Sequence, residues 1–483
     1  MSAAARTALG DLQGVLHDGV ASFLGVPYAA PPLGELRFAP PQPARGWSGL
    51  RDATRHGPIA PQLASRLNVA MGDFSRPQSE DCLTLTIRTP SPDSRSRPVI
   101  VWLHGGAWIS GAGSLDWYDG STLAREGDLV FVGVNYRLGA LGWLHRPGLV
   151  DCEPGTADMI AALRWVHAHI ASFGGDPDNV TVMGQSAGAT SIGRLLTRPE
   201  TRGLFHRAIM QSGGFGRGAY HAALASERAA QFLRLLDIDP EAGDALPRLR
   251  AVDVRRLLVA QGELARANAR FAQTMPQFMP VHAAKLTQAE LLAQIADAAD
   301  GRQVLIGATR DEVHAFYAAN PEMHDPPHDK VVERFGGAAA LERYRARRPG
   351  ASMMDLLADL GTDETFLLPA MRLADAMAQR GVRCFAYQFD WAPPGSRFRA
   401  CHCIDLPFVF GNFPQWPGAE MLAGGDAAQM ADLSRAMRAA WIAFARTGSP
   451  DWPAYDTASR ATMCFGTRIG VAGDPAGIGW GQA

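Results

Sequence analysis

Six short runs, apolar on both alternations, constrain this chain more than any other feature. They are Val99–Leu103, Leu129–Val134, Val180–Met183, Ala208–Gln211, Val304–Gly307 and Cys384–Phe389. A strand with one wet face alternates apolar and polar residues, whereas a strand covered on both faces is apolar throughout. Helical patterns separate the runs; in Asp158–Ala171, for example, Ile160, Leu163, Trp165, Val166 and Ile170 recur at near-helical spacing. This alternation predicts an α/β fold with a central, mostly parallel sheet and helices on both faces. Two longer helical regions, about 222–267 and 330–379, interrupt it. No Ser/Gly/Pro-rich linker brackets either one, so they are expected to be insertions over the active-site end of one domain spanning 1–483.

Composition narrows the classes. Apolar residues make up 47% and charged residues 19%, with a net charge of −2, which excludes a disordered or coiled-coil chain. No basic excess exists to meet a phosphate backbone, so no nucleic-acid partner is expected. The basic side is 44 Arg and only two Lys, Lys285 and Lys330. The arginines are scattered and read as compositional bias, not as a binding surface. No stretch nears the roughly 18 apolar residues of a membrane span, and residues 1–7 open no signal-peptide core. Six cysteines without a CxxC pair suggest neither zinc nor thioredoxin chemistry. A soluble protein of the cytoplasm is the expectation.

Gly184-Gln185-Ser186-Ala187-Gly188 stands between the run ending at Met183 and a helical pattern from Ala187 onward. A nucleophile held in a tight strand-to-helix turn needs neighbours without bulky side chains, and Gly184, Ala187 and Gly188 supply them. An ordinary glycine turn with a capping serine fits the pentapeptide alone equally well. A second loop, His104-Gly105-Gly106-Ala107-Trp108, follows the run Val99–Leu103. Its bare backbone offers N–H groups to a developing oxyanion. A phosphate cradle is the alternative, but a Walker-type G-x-x-x-x-G-K-[ST] pattern is absent here and no lysine lies nearby.

These loops belong to an ordered series: Gly25-Val26-Pro27-Tyr28-Ala29, Pro31 to Phe38, Ser79-Glu80-Asp81-Cys82-Leu83, the His104–Trp108 loop, Asn135-Tyr136-Arg137-Leu138-Gly139, Phe173-Gly174-Gly175-Asp176-Pro177, the turn at Ser186, and His402 through Asn412. In that order and across nearly the whole chain, they resemble the type B carboxylesterases, the α/β-hydrolase branch that includes cholinesterases and para-nitrobenzyl esterases. The resemblance implies a serine carboxylesterase acting on small-molecule esters without a metal or organic cofactor. Its triad here is Ser186, Glu312 and His402, with Asp311 the competing acid, in the chain order Ser, Glu, His. Its oxyanion donors are the N–H groups of Gly106, Ala107 and Ala187. Ser186 and His402 lie far apart in the chain and must meet, which favours one domain.

Three positions depart from the family pattern. Ala60 replaces a cysteine that pairs at the position of Cys82, Val313 replaces a glycine after the acid, and Ala107 replaces the third glycine of the oxyanion loop. Trp108, Phe215, Met275, Phe278 and Phe316 are the candidate pocket residues. No tryptophan lies between Leu63 and Gln78, which argues against choline esters and for neutral short- to medium-chain or aryl esters. An amide or carbamate hydrolase would use the same machinery. A catalytically dead binding module is disfavoured because all three triad residues are present. Cys401 and Cys403 flank His402 without further ligands close in sequence, so they suggest a thiol-sensitive base rather than a metal site.

Overall fold

All six runs form strands, and five extend beyond the expected bounds. The computed structural model describes residues 1–217 and 220–477. In chain order its strands are β1 (Ser2–Thr7), β2 (Gly10–His17), β3 (Val20–Pro27), β4 (Leu50–Asp52), β5 (Thr84–Thr89) and β6 (Arg97–Leu103). They continue with β7 (Val130–Val134), β8 (Gly175–Gln185), β9 (Arg207–Gln211), β10 (Gln303–Thr309), β11 (Arg383–Phe389), β12 (Ala461–Phe465) and β13 (Ile469–Gly473). They build one sheet in the order β1-β2-β3-β5-β7-β6-β8-β9-β10-β11-β12-β13, with β4 paired to β2.

The stretch from β7 to β12 is parallel throughout, while β1, β2, β3, β5 and β13 pair antiparallel to their neighbours in that order, and β4 pairs parallel to β2. The parallel strands are covered on both sides. In β6, Val99, Val101 and Leu103 enter one apolar core while Ile100 and Trp102 enter the other. Helices Pro154–His169 and Ala187–Leu196 cover the first face. The long helix Ala427–Thr447 and the short Leu406–Phe410 cover the second.

The two interrupting regions behave differently from one another. In 222–267, helices Ala222–Leu235, Ala245–Ala251 and Val254–Ala267 add Phe232, Leu249 and Leu257 to the first core. The expected insertion at 330–379 is instead divided. Its earlier helices, through Met353–Thr365, surround a separate small core that includes Val331, Leu341, Leu356 and Leu357. Its last helix, Leu367–Gln379, packs on β10 and β11 and supplies Leu373 and Met377 to the main core. It is the crossover helix between the parallel strands β10 and β11 and not part of the insertion.

Strand order reverses at β6, where the chain has added β7 on one side and β8 on the other. Open α/β sheets bind ligands outside the carboxyl ends of the strands at such a switch point. Leu103 pairs with Gly184, Gln185 with Gln211, and Thr309 with Phe389. The segments carrying His104–Trp108, Ser186, Glu312 and His402 all leave that same edge.

Candidate active site

Ser186 turns the chain from β8 into the helix Ala187–Leu196 with φ 57° and ψ −120°, outside the regions open to most side chains. Such a residue costs of order 1–3 kcal/mol and persists only where its surroundings hold it. Here its N–H donates to the Gln211 carbonyl at 2.8 Å, and its own carbonyl accepts from the N–H (2.9 Å) and hydroxyl (3.1 Å) of Thr190. The flanking glycines are steric necessities. A Cβ on Gly188 would lie 2.0 Å from the Leu103 carbonyl oxygen, and one on Gly184 would lie 2.7 Å from the Gly188 backbone. The turn thus fits tightly against the end of β6.

The turn presents Ser186 Oγ 2.7 Å from His402 Nε2. On the far side of the ring, His402 Nδ1 hydrogen-bonds Glu312 Oε2 in a short contact, and both residues are fully or almost fully buried. Glu312 Oε1 accepts from the Thr309 N–H at 2.8 Å, and the His402 N–H donates to the Glu312 carbonyl at 3.0 Å. Gln185 Nε2 approaches His402 Nε2 at 3.3 Å. Phe366 and Phe316 pack at a tilt beside the imidazole, with ring centres 4.8 and 5.6 Å away. Asp311 takes no part in this chain of bonds. Its carboxylate pairs with Arg310 at 3.1 Å and accepts from the Ala400 N–H, so it pins the His402 loop from outside.

The second loop meets the same point. Gly106 has φ 106°, and a Cβ there would lie 2.0 Å from the Ser110 carbonyl oxygen, so this position demands glycine. Ala107 (φ 54°) and Trp108 (φ 59°) are also left-handed. The Gly106 and Ala107 N–H groups donate to no backbone acceptor among the described residues. Both residues line the cleft with Ser186. Ala187 follows the serine and opens a helix, where the first N–H groups have no intrahelical partner. The loop is braced from behind. The His104 ring stacks on Tyr136 at 4.3 Å, and the Tyr136 hydroxyl donates to the His104 carbonyl at 2.7 Å. Burial pulls His104 down to about 4, so it stays neutral as it bonds the Gly105 carbonyl. Arg137 in turn forms a buried bidentate pair with Asp158 at 2.7 and 2.8 Å. The Arg37 and Glu80 segments are joined by another such pair. Much of the motif series is therefore scaffold for this loop and its surroundings.

Of the five candidate pocket residues, only Phe316 lines the cleft at Ser186. Trp108 is 1% exposed; its indole N–H donates to Ser191 Oγ at 2.9 Å and its ring meets Trp143, so it is core behind the loop. Phe215 is also buried and faces a separate small cavity with Gly193, Tyr220 and Ile295. Met275 and Phe278 line an outer cleft, where Phe278 packs edge-on against Phe232. That outer cleft shares Arg66 and Ile109 with the cleft at Ser186. The cleft walls come instead from Leu67, Met71 and Phe74, from Ile109, and from the Trp117-Tyr118 pair, with Arg66, Arg217 and Cys403 beside them. These residues sit on loops and short turns, where no periodicity marks which side chain faces the site.

A profile of the carboxylesterase family matches residues 2–467. The chain belongs to this family. Among its relatives, this carboxylesterase is 38% identical to a phenmedipham hydrolase of Pseudarthrobacter oxydans, over 96% of this chain and 94% of that protein. It is 38% identical to the para-nitrobenzyl esterase of Bacillus subtilis, over 97% and 96%. A solved thermophilic para-nitrobenzyl esterase is 35% identical and superposes with a TM-score of 0.85 over 98% of both chains. The α/β-hydrolase fold and ester hydrolysis thus stand on both geometry and kinship.

Two sequence expectations concern thiols. Cys82 is a free, buried thiol. Cys401 and Cys403 are also free and buried, and burial pushes both thiols well above their ordinary range, reinforced by Glu312 at Cys401 and Asp405 at Cys403. The thiolate is the nucleophile, so burial reverses the expected sensitivity. Iodoacetamide at pH 7.5 is expected to leave ester turnover of the folded enzyme unchanged. Activity loss in step with alkylation of either cysteine would contradict this. No cluster of His, Cys, Asp and Glu suited to a metal ion occurs among the described residues.

Proposed function

We propose that the chain works as one α/β-hydrolase unit in which Ser186, His402 and Glu312 are the catalytic triad, and Gly106, Ala107 and Ala187 supply the oxyanion hole. The observation that carries this reading is the continuous chain of bonds from Ser186 Oγ through the imidazole to a buried carboxylate. Ser186 attacks the ester carbonyl while His402 Nε2 takes its proton. Glu312 holds the Nδ1–H tautomer and stabilises the imidazolium as it forms. The three N–H groups receive the negative charge of the tetrahedral intermediate. His402 then protonates the departing alcohol, and water repeats the sequence on the acyl-enzyme to release the acid.

The walls formed by Leu67, Met71, Phe74, Trp117, Tyr118 and Phe316 support short- to medium-chain acyl or aryl groups. The six free thiols support a reducing, cytoplasmic setting. No described helix is long and apolar enough to cross a membrane.

A panel of 4-nitrophenyl esters from acetate to decanoate tests the reading, with one 4-nitroanilide and phenmedipham included. Turnover of the esters is expected, strongest among the shorter chains, with the anilide at least about 10²-fold slower because its leaving group is poorer. Absence of turnover on every ester, or an anilide faster than its ester, would overturn it.

A further inference from the structure

Arginines that face inward in this molecule usually close an ion pair: Arg37 with Glu80, Arg97 with Asp93, Arg137 with Asp158, Arg194 with Glu153 and Arg438 with Glu126. Two arginines at the cleft that holds Ser186 do not, Arg217, which is half-buried, and Arg66, which is more exposed. Neither forms an ion pair among the described residues, and no Asp or Glu lines this cleft or the outer cleft joined to it at Arg66.

The two guanidinium groups converge on one residue. Arg217 Nη2 donates to Thr274 Oγ1 at 3.3 Å, and Arg66 Nη2 donates to the Thr274 carbonyl at 3.4 Å. Two like charges are thus held on either side of a single threonine with no intervening carboxylate. Two positive charges on one residue with no carboxylate between them raise the local potential and attract an anion. The crowding is visible in Arg217, which burial first, and then the charge of Arg66, pulls down to about 10. A guanidinium has five N–H donors, and each of these two directs a single side-chain hydrogen bond to the protein. The remaining donors suit the fork geometry of a carboxylate. The pair is also close to the chemistry. The Arg217 guanidinium carbon lies 5.6 Å from the centre of the Phe366 ring, which is itself 4.8 Å from the His402 ring.

We propose that Arg66 and Arg217 form an anion subsite of the catalytic cleft, so that the favoured substrates are esters carrying a carboxylate away from the scissile bond. Uncharged esters are still turned over, and the subsite sets the preference among substrates. This inference rests on the serine-hydrolase reading of the same cleft.

Two matched substrate pairs test it. Mono-4-nitrophenyl adipate and its terminal carboxamide place the charge in the acyl part; 4-acetoxybenzoate and 4-acetoxybenzamide place it in the alcohol part. In at least one pair, wild-type kcat/KM is expected to favour the acid by about tenfold or more at low ionic strength. That ratio should shrink in 1 M NaCl, where charges are screened within about 3 Å. Arg217→Gln and Arg66→Gln should each pull the ratio towards one. The ratio is the readout, because a merely structural loss lowers both members of a pair together. A wild-type ratio at or below one in both pairs overturns the subsite, as does a ratio that neither substitution moves. If a variant fails to fold, the wild-type ratio and its salt dependence decide. Turnover of none of the four substrates overturns the hydrolase reading itself.

Discussion

Ser186→Ala is expected to lower kcat for a 4-nitrophenyl ester by about 10⁶ while leaving the fold intact, the scale seen when a triad nucleophile is removed. The size of the effect follows from the geometry. Ser186 Oγ lies 2.7 Å from His402 Nε2, so the substitution removes the group whose proton the imidazole takes. The change removes one hydroxyl whose only side-chain partner among the described residues is His402. The backbone bonds that hold the strained turn, from Ser186 to Gln211 and Thr190, do not involve the side chain. The melting temperature and circular dichroism should therefore stay near the parent values. A variant with more than a hundredth of parental kcat would mean that another group attacks the ester.

Glu312→Gln is expected to cost about 10⁴ in kcat, again with little loss of stability. The carboxylate oxygen accepts from His402 Nδ1, so the Nε2 lone pair points at Ser186 and can take its proton. A side-chain amide in place of the carboxylate, turning its N–H group to Nδ1, would impose the other tautomer, with a proton already on Nε2 and no room for another. The neighbouring Asp311→Asn serves as the contrast. Asp311 bonds Arg310 and the Ala400 N–H and does not reach the imidazole, so kcat should stay close to the parent value. Equal losses at the two positions would mean that the carboxylates act through loop packing and not through the tautomer.

The contrast between these two acids shows how far sequence alone can reach. Only a family resemblance points to an acid at Asp311-Glu312; periodicity says nothing about which of two adjacent carboxylates turns inward. Six of the seven parallel strands, β6 to β11, are legible because burial on two faces leaves an unbroken apolar run, as in Val99–Leu103. Strands β1 to β5, β12 and β13 are not: β4 and β13 are exposed at most positions, and β5 is buried although Thr84, Thr86, Arg88 and Thr89 break its apolar run. The helix Leu367–Gln379 reads as part of an insertion because its apolar stripe does not tell which core it joins. Ser186 and the glycines around it are legible because a strained turn restricts residue type. The cleft walls are not. Trp108 stands out for its position beside the oxyanion loop, yet the left-handed turn through Ala107 and Trp108 leaves its ring in the core. Arg66 and Arg217 are hidden among 44 arginines until the fold brings them to Thr274.

Covalent labelling tests most directly whether Ser186 is the nucleophile. After treatment with an organophosphate such as paraoxon, intact mass should show one phosphoryl adduct per chain, in step with loss of ester turnover. Peptide mapping should place that adduct on Ser186, and Ser186→Ala should take up none. A stoichiometric adduct on any other residue, or full inactivation without an adduct on Ser186, would contradict the account.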